Sequence, residues 1–557
     1  MSSRAALRKA ASGLALAALV ALAPSFPDAA TAGPPAGFSL EPVAAGFDQP
    51  TAFAHAPDGR VFVAEKPGVV KVVADGSVST FLDLRDRTNE FWNRGLIGLA
   101  LDPDFVANRR VYLAFSEELN PAEPDGPPPA GGLIIRVEES TTTPNVADPA
   151  TEATLLDGFQ SVHFSHSMGD LDFDAQGRLI AALGDGASFF QVDPFALEAL
   201  NLDSLQGKVV RLDPETGHGV PENPHFDAAA PTSARSRSIA WGLRNPYRFS
   251  IDRATGDIWV GDVGWTSQDE LNRLPAAPGG DAERNFGWPC SEGSAPQDQY
   301  PNWFPTACGD ALAGGWSRPA HEWRTGATAS TGGPRYHGSG YPDVYRGRIF
   351  FADFSSDQMM TFDPATGQAA DFGPPEGWGG PVDMSIGPDG NLHVLGFLDG
   401  TLRRLVHTGD AAAPQSSTPP PTTATPGGPV WPTAKRVSTG GAAARFADLA
   451  VNRRGQAVAA WMERVKGRTR VVASLRGPGG SWRRPVPISP ANRGARDPSV
   501  AIGEGGHAIV TWRQPAGRVR AGRGRIEPRF ITVAVSYTHL TLPTNTVTWG
   551  GGGGGGG

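Results

Sequence analysis

One histidine and one aspartate have the spacing of a general-base pair. His166 stands in the segment 165–171, and Asp185 lies nineteen positions later between two glycines. The residues between them read as two apolar strands, and a hairpin of these strands would bring its ends side by side. A carboxylate that fixes the tautomer of an imidazole makes that imidazole a competent general base. A solvated loop histidine beside an ordinary Asp-Gly turn is the alternative interpretation.

A guanidinium and a group of loop oxygens add to this chemistry. Arg244 and Asn245 stand in the segment 241–246, directly before a further apolar strand. A planar guanidinium is suited to an anionic or carbonyl ligand, whereas a salt-bridged surface turn is the alternative. Acidic residues and loop carbonyls follow in 261–289 and could bind calcium, which takes about six to eight oxygen ligands. This segment lacks the spacing of an EF-hand.

A repeated pattern must position these residues. It consists of an alternating apolar strand, a tight turn containing Asp or Gly, and a second apolar strand. The six copies begin at Pro50, Leu96, Gly169, Arg248, Tyr345 and Val382. Alternation gives each strand one buried face, and a single hairpin sheet cannot bury both of its faces. We therefore predict an all-β fold, a six-bladed β-propeller over 33–407, with the site on its longer loops.

The segments outside the repeats set the domain boundaries. Basic residues, a short apolar run and a small-residue exit predict a signal peptide over 1–32, and hence a secreted protein. The Pro- and Thr-rich segment 408–429 is typical of a linker. Two further β-units in 430–534 are too few to close a ring, which indicates a truncated β-repeat module. The segment 535–557 ends in eight glycines and resembles sequencing-adapter read-through, with a disordered tail as the alternative.

Charge is distributed unevenly along the chain, whose formal net charge is −8. Residues 33–429 hold 26 Lys and Arg against 51 Asp and Glu, whereas 430–534 hold 20 against 5. An acidic large domain is a poor nucleic-acid binder and suits calcium and neutral solutes. The basic module could associate with an anionic cell-wall polymer, while its arginine bias also fits a GC-rich genome.

The two cysteines and the apolar runs bear on the compartment. Cys290 and Cys308 are the only cysteines, and in an exported protein we expect them to form a structural disulfide. Two thiols alone make a poor zinc site. Beyond the N-terminal segment no apolar run is long enough to cross a membrane, so we expect no stable membrane span.

Taken together, these segments resemble a known enzyme family. Their order, with the connecting segments 205–212 and 223–226, is similar to the soluble PQQ-dependent sugar dehydrogenases of the glucose/sorbosone (aldose sugar) type. The resemblance covers about residues 40–407. It implies a six-bladed propeller that holds pyrroloquinoline quinone (PQQ) and calcium. It also implies oxidation of the anomeric hydroxyl of an aldose, with electrons passed to an external acceptor.

The resemblance assigns roles to individual residues. His166 matches the family's base, Asp185 the carboxylate that orients the base, and Arg244 the arginine that polarises the quinone carbonyl. The implied cofactor-binding residues are Asn93, Arg244 and Asn245. The implied calcium ligands are the carbonyls of Gly264 and Trp265, with Glu270 and the Phe286 carbonyl as part of a second, structural site.

Three positions depart from the family pattern. The family binds the carboxylates of the quinone with one lysine and two arginines, whereas the matching positions here are about Ser356, Gly380 and Val382. Asp357 would repel a carboxylate, and unpaired charges in a closed pocket are costly. The cations that could substitute are Lys208, Arg324 and Arg335. The alternative function is therefore a non-catalytic secreted propeller that binds carbohydrate or another surface ligand.

Overall fold

Alternating apolar residues and tight turns fold the chain mostly into antiparallel β-strands. The computed structural model describes residues 33–120, 129–324, 329–373, 377–409, 415–416, 444–451, 456–465, 468–477, 482–489, 496–502, 508–520 and 526–537. The predicted signal peptide lies outside the described residues, as does most of the predicted linker. The chain divides into two compact units, Met1–Pro421 and Thr422–Gly557.

Among the described residues of the first unit, six sheets of four or five strands follow one another, and strand β1 (Phe38–Ala45) precedes them. The first sheet contains β2 (Pro50–His55), β3 (Val61–Glu65), β4 (Val69–Ala74) and β5 (Ser77–Asp83). The second contains β6 (Leu96–Leu101), β7 (Arg110–Glu117), β8 (Ala130–Glu139) and β9 (Ala147–Ser161). The third contains β10 (Met168–Phe173), β11 (Leu179–Leu183), β12 (Lys208–Leu212) and β13 (Ser238–Trp241).

The remaining three sheets carry the longer insertions. The fourth contains β14 (Pro246–Ile251), β15 (Ile258–Asp262), β16 (Gln268–Leu274) and β19 (His321–Arg324), and between the last two lies a hairpin of β17 (Ser291–Glu292) and β18 (Ala295–Pro296). The fifth contains β20 (Ser330–Thr331), β21 (Ile349–Asp353), β22 (Gln358–Asp363) and β23 (Gln368–Asp371), extended by β27 (Gln415–Ser416). The sixth contains β24 (Pro381–Ile386), β25 (Leu392–Gly396) and β26 (Thr401–His407), and β1 completes it.

Helices are short and lie in the connections. The described α-helices of the first unit are α1 (Phe105–Asn108), α2 (Ala234–Arg237), α3 (Tyr300–Trp303) and α4 (Pro305–Ala313). Single turns of 3-10 helix occupy Arg85–Arg87, Pro194–Ala199, Asp281–Glu283 and Asp343–Tyr345. No helix in the described part of the chain is long and apolar enough to span a membrane.

The six sheets contact one another in sequence order. The first strand of each sheet (β2, β6, β10, β14 and β20) lies against the first strand of the next, and β24 lies against β2. Buried apolar side chains fill the spaces between neighbouring sheets, as Phe62 and Phe105 do between the first and second. This mostly β arrangement of small sheets is consistent with a β-propeller, because each sheet covers one face of its neighbour.

A fully buried arginine closes the middle of this arrangement. The guanidinium of Arg248 donates to the carbonyls of Ile97 (2.9 Å), Val382 (3.0 Å) and Thr51, which belong to three different sheets. One cavity of about 560 Å³, here the upper cavity, lies on the side of Tyr247. A second cavity of about 560 Å³, here the lower cavity, lies on the side of Phe249. Arg248 therefore separates two cavities at opposite ends of the inner strands.

The second unit contains two sheets among its described residues. One contains β28 (Ala444–Val451), β29 (Ala457–Val465), β30 (Arg468–Arg476) and β31 (Val486–Pro487). The other contains β32 (Arg496–Ile502), β33 (Ala508–Arg520) and β34 (Ile526–Tyr537). Strand β34 runs three residues past the predicted module boundary at 534, because 535–537 pair with the start of β33. The rest of the predicted tail lies outside the described residues.

Candidate active site

The hairpin of β10 and β11 brings His166 and Asp185 into contact. His166 lies just before β10, Asp185 lies just after β11, and the two strands pair in antiparallel register. Nδ1 of His166 lies 2.7 Å from Oδ1 of Asp185, and the two side chains are 4% and 1% exposed. A side chain on Gly184 would collide with the backbone of His166, so glycine is required for this close approach.

The electrostatic surroundings favour a neutral imidazole beside an ionised carboxylate. Burial lowers the pKa of His166 below its ordinary value of 6.5, and Arg244 lowers it further, while Asp185 opposes both effects. Burial alone would raise the pKa of Asp185, but attraction to His166 and Arg244 holds this pKa below its usual range. A neutral imidazole with one nitrogen bound to a carboxylate is the resting form of a general base.

Trp288 connects this pair to Arg244. Its indole Nε1 donates to Oδ2 of Asp185 at 2.8 Å, and the guanidinium of Arg244 lies 5.4 Å from the centre of its ring. The amide of Asp185 donates to the carbonyl of Arg244 at 2.8 Å. The imidazole, the carboxylate and the guanidinium therefore belong to one continuous set of contacts.

Asp262, at the end of β15, fixes the segment that carries the arginine. Its carboxylate accepts the backbone amides of Arg244 at 3.0 Å and Asn245 at 2.6 Å. The guanidinium of Arg244 in turn donates to the carbonyls of Val263 at 2.9 Å and Gly264 at 2.6 Å. Burial raises the pKa of Asp262 to about 7, although the hydrogen bonds from Arg244 and Asn245 lower it.

The upper cavity adjoins the histidine. Ser167 and Met168, the two residues that follow His166, line it. Its wall also carries polar and cationic side chains: Gln49, Lys66, Asn93, Asn245 and Thr331. Its volume lies within the range of about 300 to 1,000 Å³ that is usual for small-molecule sites. The structure thus brings two predicted cofactor-binding residues, Asn93 and Asn245, to one cavity beside the predicted base.

A model of the glucose/sorbosone dehydrogenase family matches residues 47–404. This chain belongs to that family. It is 26% identical over 303 residues to aldose sugar dehydrogenase YliI of Escherichia coli, a match that covers 54% of this chain and 74% of that protein. It is also 26% identical over 268 residues to quinoprotein glucose dehydrogenase B of Acinetobacter calcoaceticus, covering 45% of this chain and 52% of that protein.

Solved structures show the same fold. The apo-form of the soluble aldose sugar dehydrogenase of Escherichia coli has a TM-score of 0.53 and 23% identity, covering 66% of this chain and 99% of that one. The PQQ-bound form of aldose sugar dehydrogenase from Streptomyces coelicolor has a TM-score of 0.50 and 20% identity, covering 67% and 99%. The family resemblance seen in the sequence is therefore confirmed.

In this chain, one carboxylate accepts most of the backbone amides of the loop that was predicted to bind calcium. Oε1 of Glu292, in β17, accepts the backbone amides of Trp265 (2.6 Å), Thr266 (2.8 Å) and Ser267 (3.0 Å). The amide of Gly264 donates to Oδ1 of Asp269 at 2.7 Å. The sequence pattern did not identify Glu292, because Glu292 lies 27 positions from the loop whose amides it accepts and belongs to no recognisable motif.

Glu270 and Phe286 both connect to the hairpin of β17 and β18. The buried carboxylate of Glu270 accepts the amide of Gly293 at 2.5 Å and Nδ2 of Asn272 at 2.7 Å. The carbonyl of Phe286 accepts the hydroxyl of Ser291 at 3.3 Å. Burial, with repulsion from Asp262, raises the pKa of Glu270 to about 8. Among the described residues, no group of three or more His, Cys, Asp or Glu side chains is arranged to hold a metal ion.

The positions that lack the family's cations are occupied by loop contacts. Asp357 accepts the backbone amides of Trp378 at 3.2 Å and Gly380 at 2.8 Å. The amide of Ser356 donates to Asp353 at 3.0 Å. Val382 lines the upper cavity, and Asp357 is not among its lining residues. The carboxylate of Asp357 therefore stabilises the neighbouring loop by accepting its backbone amides, and it does not face the upper cavity.

Two of the three suggested substitute cations do not reach the upper cavity. Arg335 pairs with Asp252 at 2.8 Å and lines the lower cavity. Lys208 is buried and donates to three backbone carbonyls, those of Glu198, Ala199 and Gln206. The suggestion that either residue replaces the missing cations is wrong, because both side chains contact groups outside the upper cavity. The side chain of Arg324 lies outside the described part of the chain. Among the described residues that line the upper cavity, Lys66, just after β3, is the cation. Its Nζ also donates to the carbonyl of Glu90, and the sequence pattern did not identify it.

Proposed function

We propose that this protein oxidises the anomeric hydroxyl of an aldose in the upper cavity, and that its six sheets are the blades of a six-bladed β-propeller. One observation carries the proposal: a buried His166–Asp185 pair at 2.7 Å adjoins a cavity of ligand size. Membership of the glucose/sorbosone dehydrogenase family supports the same reaction class.

The chain's own residues supply the proton chemistry. Because Nδ1 of His166 is bound to Asp185, Nε2 is the nitrogen that accepts the proton of the sugar hydroxyl. Asp185 keeps the imidazole in the required tautomer and stabilises the imidazolium that forms. The guanidinium of Arg244 is held by the carbonyls of Val263 and Gly264 and does not line the upper cavity, so we expect it to act on negative charge that develops there through its electric field rather than by contact.

The upper cavity has the volume and the wall to hold a flat polycyclic cofactor. Tyr247, Phe354 and Phe397 supply aromatic surface, while Asn93 and Asn245 supply amide groups. When bound there, PQQ supplies the acceptor for the hydride that leaves the anomeric carbon. PQQ carries three carboxylates, and Lys66 is the one cation on the cavity wall that could pair with them. We therefore expect weaker binding of PQQ than a site with three cations would give.

Calcium is the second proposed cofactor. Backbone carbonyls are the kind of oxygen ligand that calcium prefers, and Gly264 and Trp265 present them next to Arg244. The carbonyl of Gly264 accepts a hydrogen bond from Arg244. A carbonyl oxygen has two lone pairs, so calcium would either share this oxygen with Arg244 or displace its hydrogen bond. The carbonyl of Phe286 and the carboxylate of Glu270 are the proposed ligands of the second, structural calcium.

Secretion is part of the proposal. Cys290 and Cys308 form a disulfide, as the sequence predicted, and structural disulfides persist mainly in oxidising compartments. We propose that residues 1–32 direct export, that an external acceptor receives the electrons, and that the basic module associates with the cell wall.

Reconstitution of the full-length protein tests this function. With calcium, PQQ and glucose, we expect reduction of an artificial dye, and we expect the His166→Ala variant to lose at least about 100-fold in kcat. His218→Ala, which changes a histidine in a turn beyond β12, serves as the matched control. Absence of both dye reduction and PQQ binding would favour the non-catalytic carbohydrate-binding alternative.

A further inference from the structure

A cavity of about 570 Å³, here called the arginine cleft, lies between the third and fourth sheets. The turn that joins β10 to β11 and the turn that joins β14 to β15 both line it. The arginine cleft is therefore at the opposite end of these sheets from His166 and Asp185. Four arginines line it: Arg178, Arg211, Arg253 and Arg284.

Two of these arginines are paired with carboxylates. Nε of Arg178 lies 2.7 Å from the carboxylate of Asp174, and Arg253 lies 2.8 Å from Asp172. Asp252, which also lines the arginine cleft, is matched by a cation of the fifth sheet at 2.8 Å. These charges are therefore balanced within the protein.

The other two arginines bind only neutral groups. Arg211, in β12, donates to Oδ1 of Asn223 at 2.7 Å and to the backbone carbonyl of Glu222 at 2.9 Å. Arg284 donates to the backbone carbonyl of Ile239 at 3.0 Å. No carboxylate in the described part of the chain forms an ion pair with either guanidinium, so each carries a positive charge into the wall of the arginine cleft.

The arginines also repel one another. Burial, with repulsion from Arg178 and Arg284, lowers the pKa of Arg211 to about 10, although Asp174 and Glu222 oppose this effect. The carboxylate of Glu222 is the third acidic group of the lining, and it lies 3.5 Å from Arg178. An anion bound between Arg211 and Arg284 would relieve this repulsion.

The acidic residues of the unit do not prevent an anion from binding here. At physiological ionic strength the screening length is about 8 Å, so distant carboxylates act weakly while a guanidinium in contact acts strongly. Asp281 and Glu283 are near enough to raise the pKa of Arg284, but burial outweighs them and lowers it below its ordinary value. The local balance of charge is therefore positive.

The charge and the shape of the arginine cleft fit an organic phosphate. The parallel N–H groups of a guanidinium match the oxygens of a phosphate or carboxylate. Two unpaired guanidiniums match a phosphate monoester, which carries a charge of about −1.5 to −2 at pH 7, better than a single carboxylate. The volume is within the range of about 300 to 1,000 Å³ for small-molecule sites, and Ile180, Ile239 and Ile251 add apolar surface for an organic group.

We propose that the arginine cleft binds a small organic phosphate, with Arg211 and Arg284 as the ligands of its phosphate group. The site is separate from the upper cavity and does not depend on the proposed function.

Calorimetry of the full-length protein with glycerol 3-phosphate tests this proposal. Neither calcium nor PQQ is added, and the probe is not an aldose, so its binding is distinct from that of a sugar substrate. We expect glycerol 3-phosphate to bind more tightly than inorganic phosphate, and glycerol not to bind. Arg211→Gln and Arg284→Gln should each weaken binding of glycerol 3-phosphate at least about tenfold. Arg235→Gln, which removes an arginine of α2 outside the arginine cleft, should leave the affinity unchanged.

Thermal unfolding of each variant without ligand shows whether it is folded. Arg284→Gln loses one hydrogen bond to a backbone carbonyl, so this variant tests the site even if Arg211→Gln does not fold. Arg211→Lys, which keeps the charge without the planar fork, should recover only part of the affinity. An unchanged affinity in Arg284→Gln, or equal binding of glycerol and glycerol 3-phosphate, would overturn the proposal. Binding to vesicles that contain phosphatidic acid, without binding of glycerol 3-phosphate, would also overturn it, because the ligand would then be a membrane lipid.

Discussion

Burial sets the protonation states of the two residues at the centre of the site. His166 loses solvent and faces Arg244, and both effects lower its pKa. Asp185 keeps a pKa below its usual range because it contacts His166 and lies near Arg244. Three donors, from His166, Ala187 and Trp288, satisfy its carboxylate. The imidazole is thus neutral at neutral pH and stays in one orientation.

The pH profile follows from these directions. A base that must be neutral loses activity as pH falls through its pKa, so kcat/KM should rise with pH through a midpoint below 6.5 and then level off. Asp185→Asn removes the charge that raises the pKa of His166. The midpoint should therefore move to lower pH, and kcat should fall at least about 100-fold because the tautomer is no longer fixed.

Initial rates of dye reduction between about pH 4.5 and 8 check this expectation. Phe190→Ala provides a comparison, because it removes an exposed aromatic ring after β11 without altering a titrating group. A midpoint above 6.5, or a midpoint that stays in place in Asp185→Asn, would show that a group other than His166 is the base.

The sequence predicted those contacts that one hairpin creates. His166 and Asp185 are nineteen residues apart, and strand alternation with an intervening turn was enough to bring them together. Trp288 lies 103 residues from Asp185, and Glu292 contacts a loop 27 residues away. Such contacts depend on how insertions fold over neighbouring sheets, and local periodicity carries no information about that. Lys66 was missed for the same reason, because only the packing of one sheet against the next brings it to the cavity.

Among the elements, the long connection between β16 and β19 does most to hold the site. Its hairpin of β17 and β18 carries Glu292, which holds the 264–267 loop. A disulfide joins Cys290, just before that hairpin, to Cys308 of α4. The ring of Tyr300, in α3, packs 5.5 Å from Trp265 and 5.4 Å from Trp288. This connection therefore has a small apolar core of its own, which packs next to the candidate active site.

Loss of the disulfide should loosen this connection. It closes a segment with a sequence separation of 18, and cross-links of that length contribute about 3 kcal/mol by restricting the unfolded chain. We expect the Cys290→Ala/Cys308→Ala double variant to unfold at lower denaturant concentration and to lose affinity for PQQ or calcium. Wild-type protein unfolded in the presence of a thiol reductant should behave like the variant, whereas the variant should not respond to reductant. Equal denaturation midpoints for the two proteins would contradict this role.

The sequence pattern located five of the six repeated units closely. The weak copy near Tyr345 is the exception, since Asp343–Tyr345 forms a turn of 3-10 helix and the first strand of that sheet is Ser330–Thr331. Two residues are too few to display alternation. The wider pattern nevertheless indicated the mostly β architecture, because it repeats along the chain whereas any single copy is ambiguous.

At the scale of the whole molecule, Arg248 connects the sheets. It is fully buried, donates to carbonyls of three sheets and lies 3.5 Å from Asp170 and 3.8 Å from Asp383. Burial raises the pKa of Asp170 to about 7, against the opposing effect of Arg248. Loss of the cation would leave two buried carboxyl groups without their ion-pair partner, although backbone amides still donate to both, and would remove a donor from three carbonyls.

Replacement of this arginine should destabilise the entire first unit. We expect Arg248→Met to lower the free energy of unfolding by about 3 to 5 kcal/mol, as removal of one partner from a buried ion pair does. Arg253→Ala removes a half-exposed arginine that pairs with Asp172, and should cost less than about 1 kcal/mol. Denaturant titration of the full chain, followed by tryptophan fluorescence, measures both. Similar losses for the two variants would show that Arg248 does not connect the sheets energetically.

The position of Arg248 also bears on how a ligand would enter and leave. Its guanidinium donates to carbonyls of three sheets between the upper and the lower cavity, so we expect a ligand that enters the upper cavity to leave from the same side. Under the proposed function, the sugar and the electron acceptor would then use that side in turn.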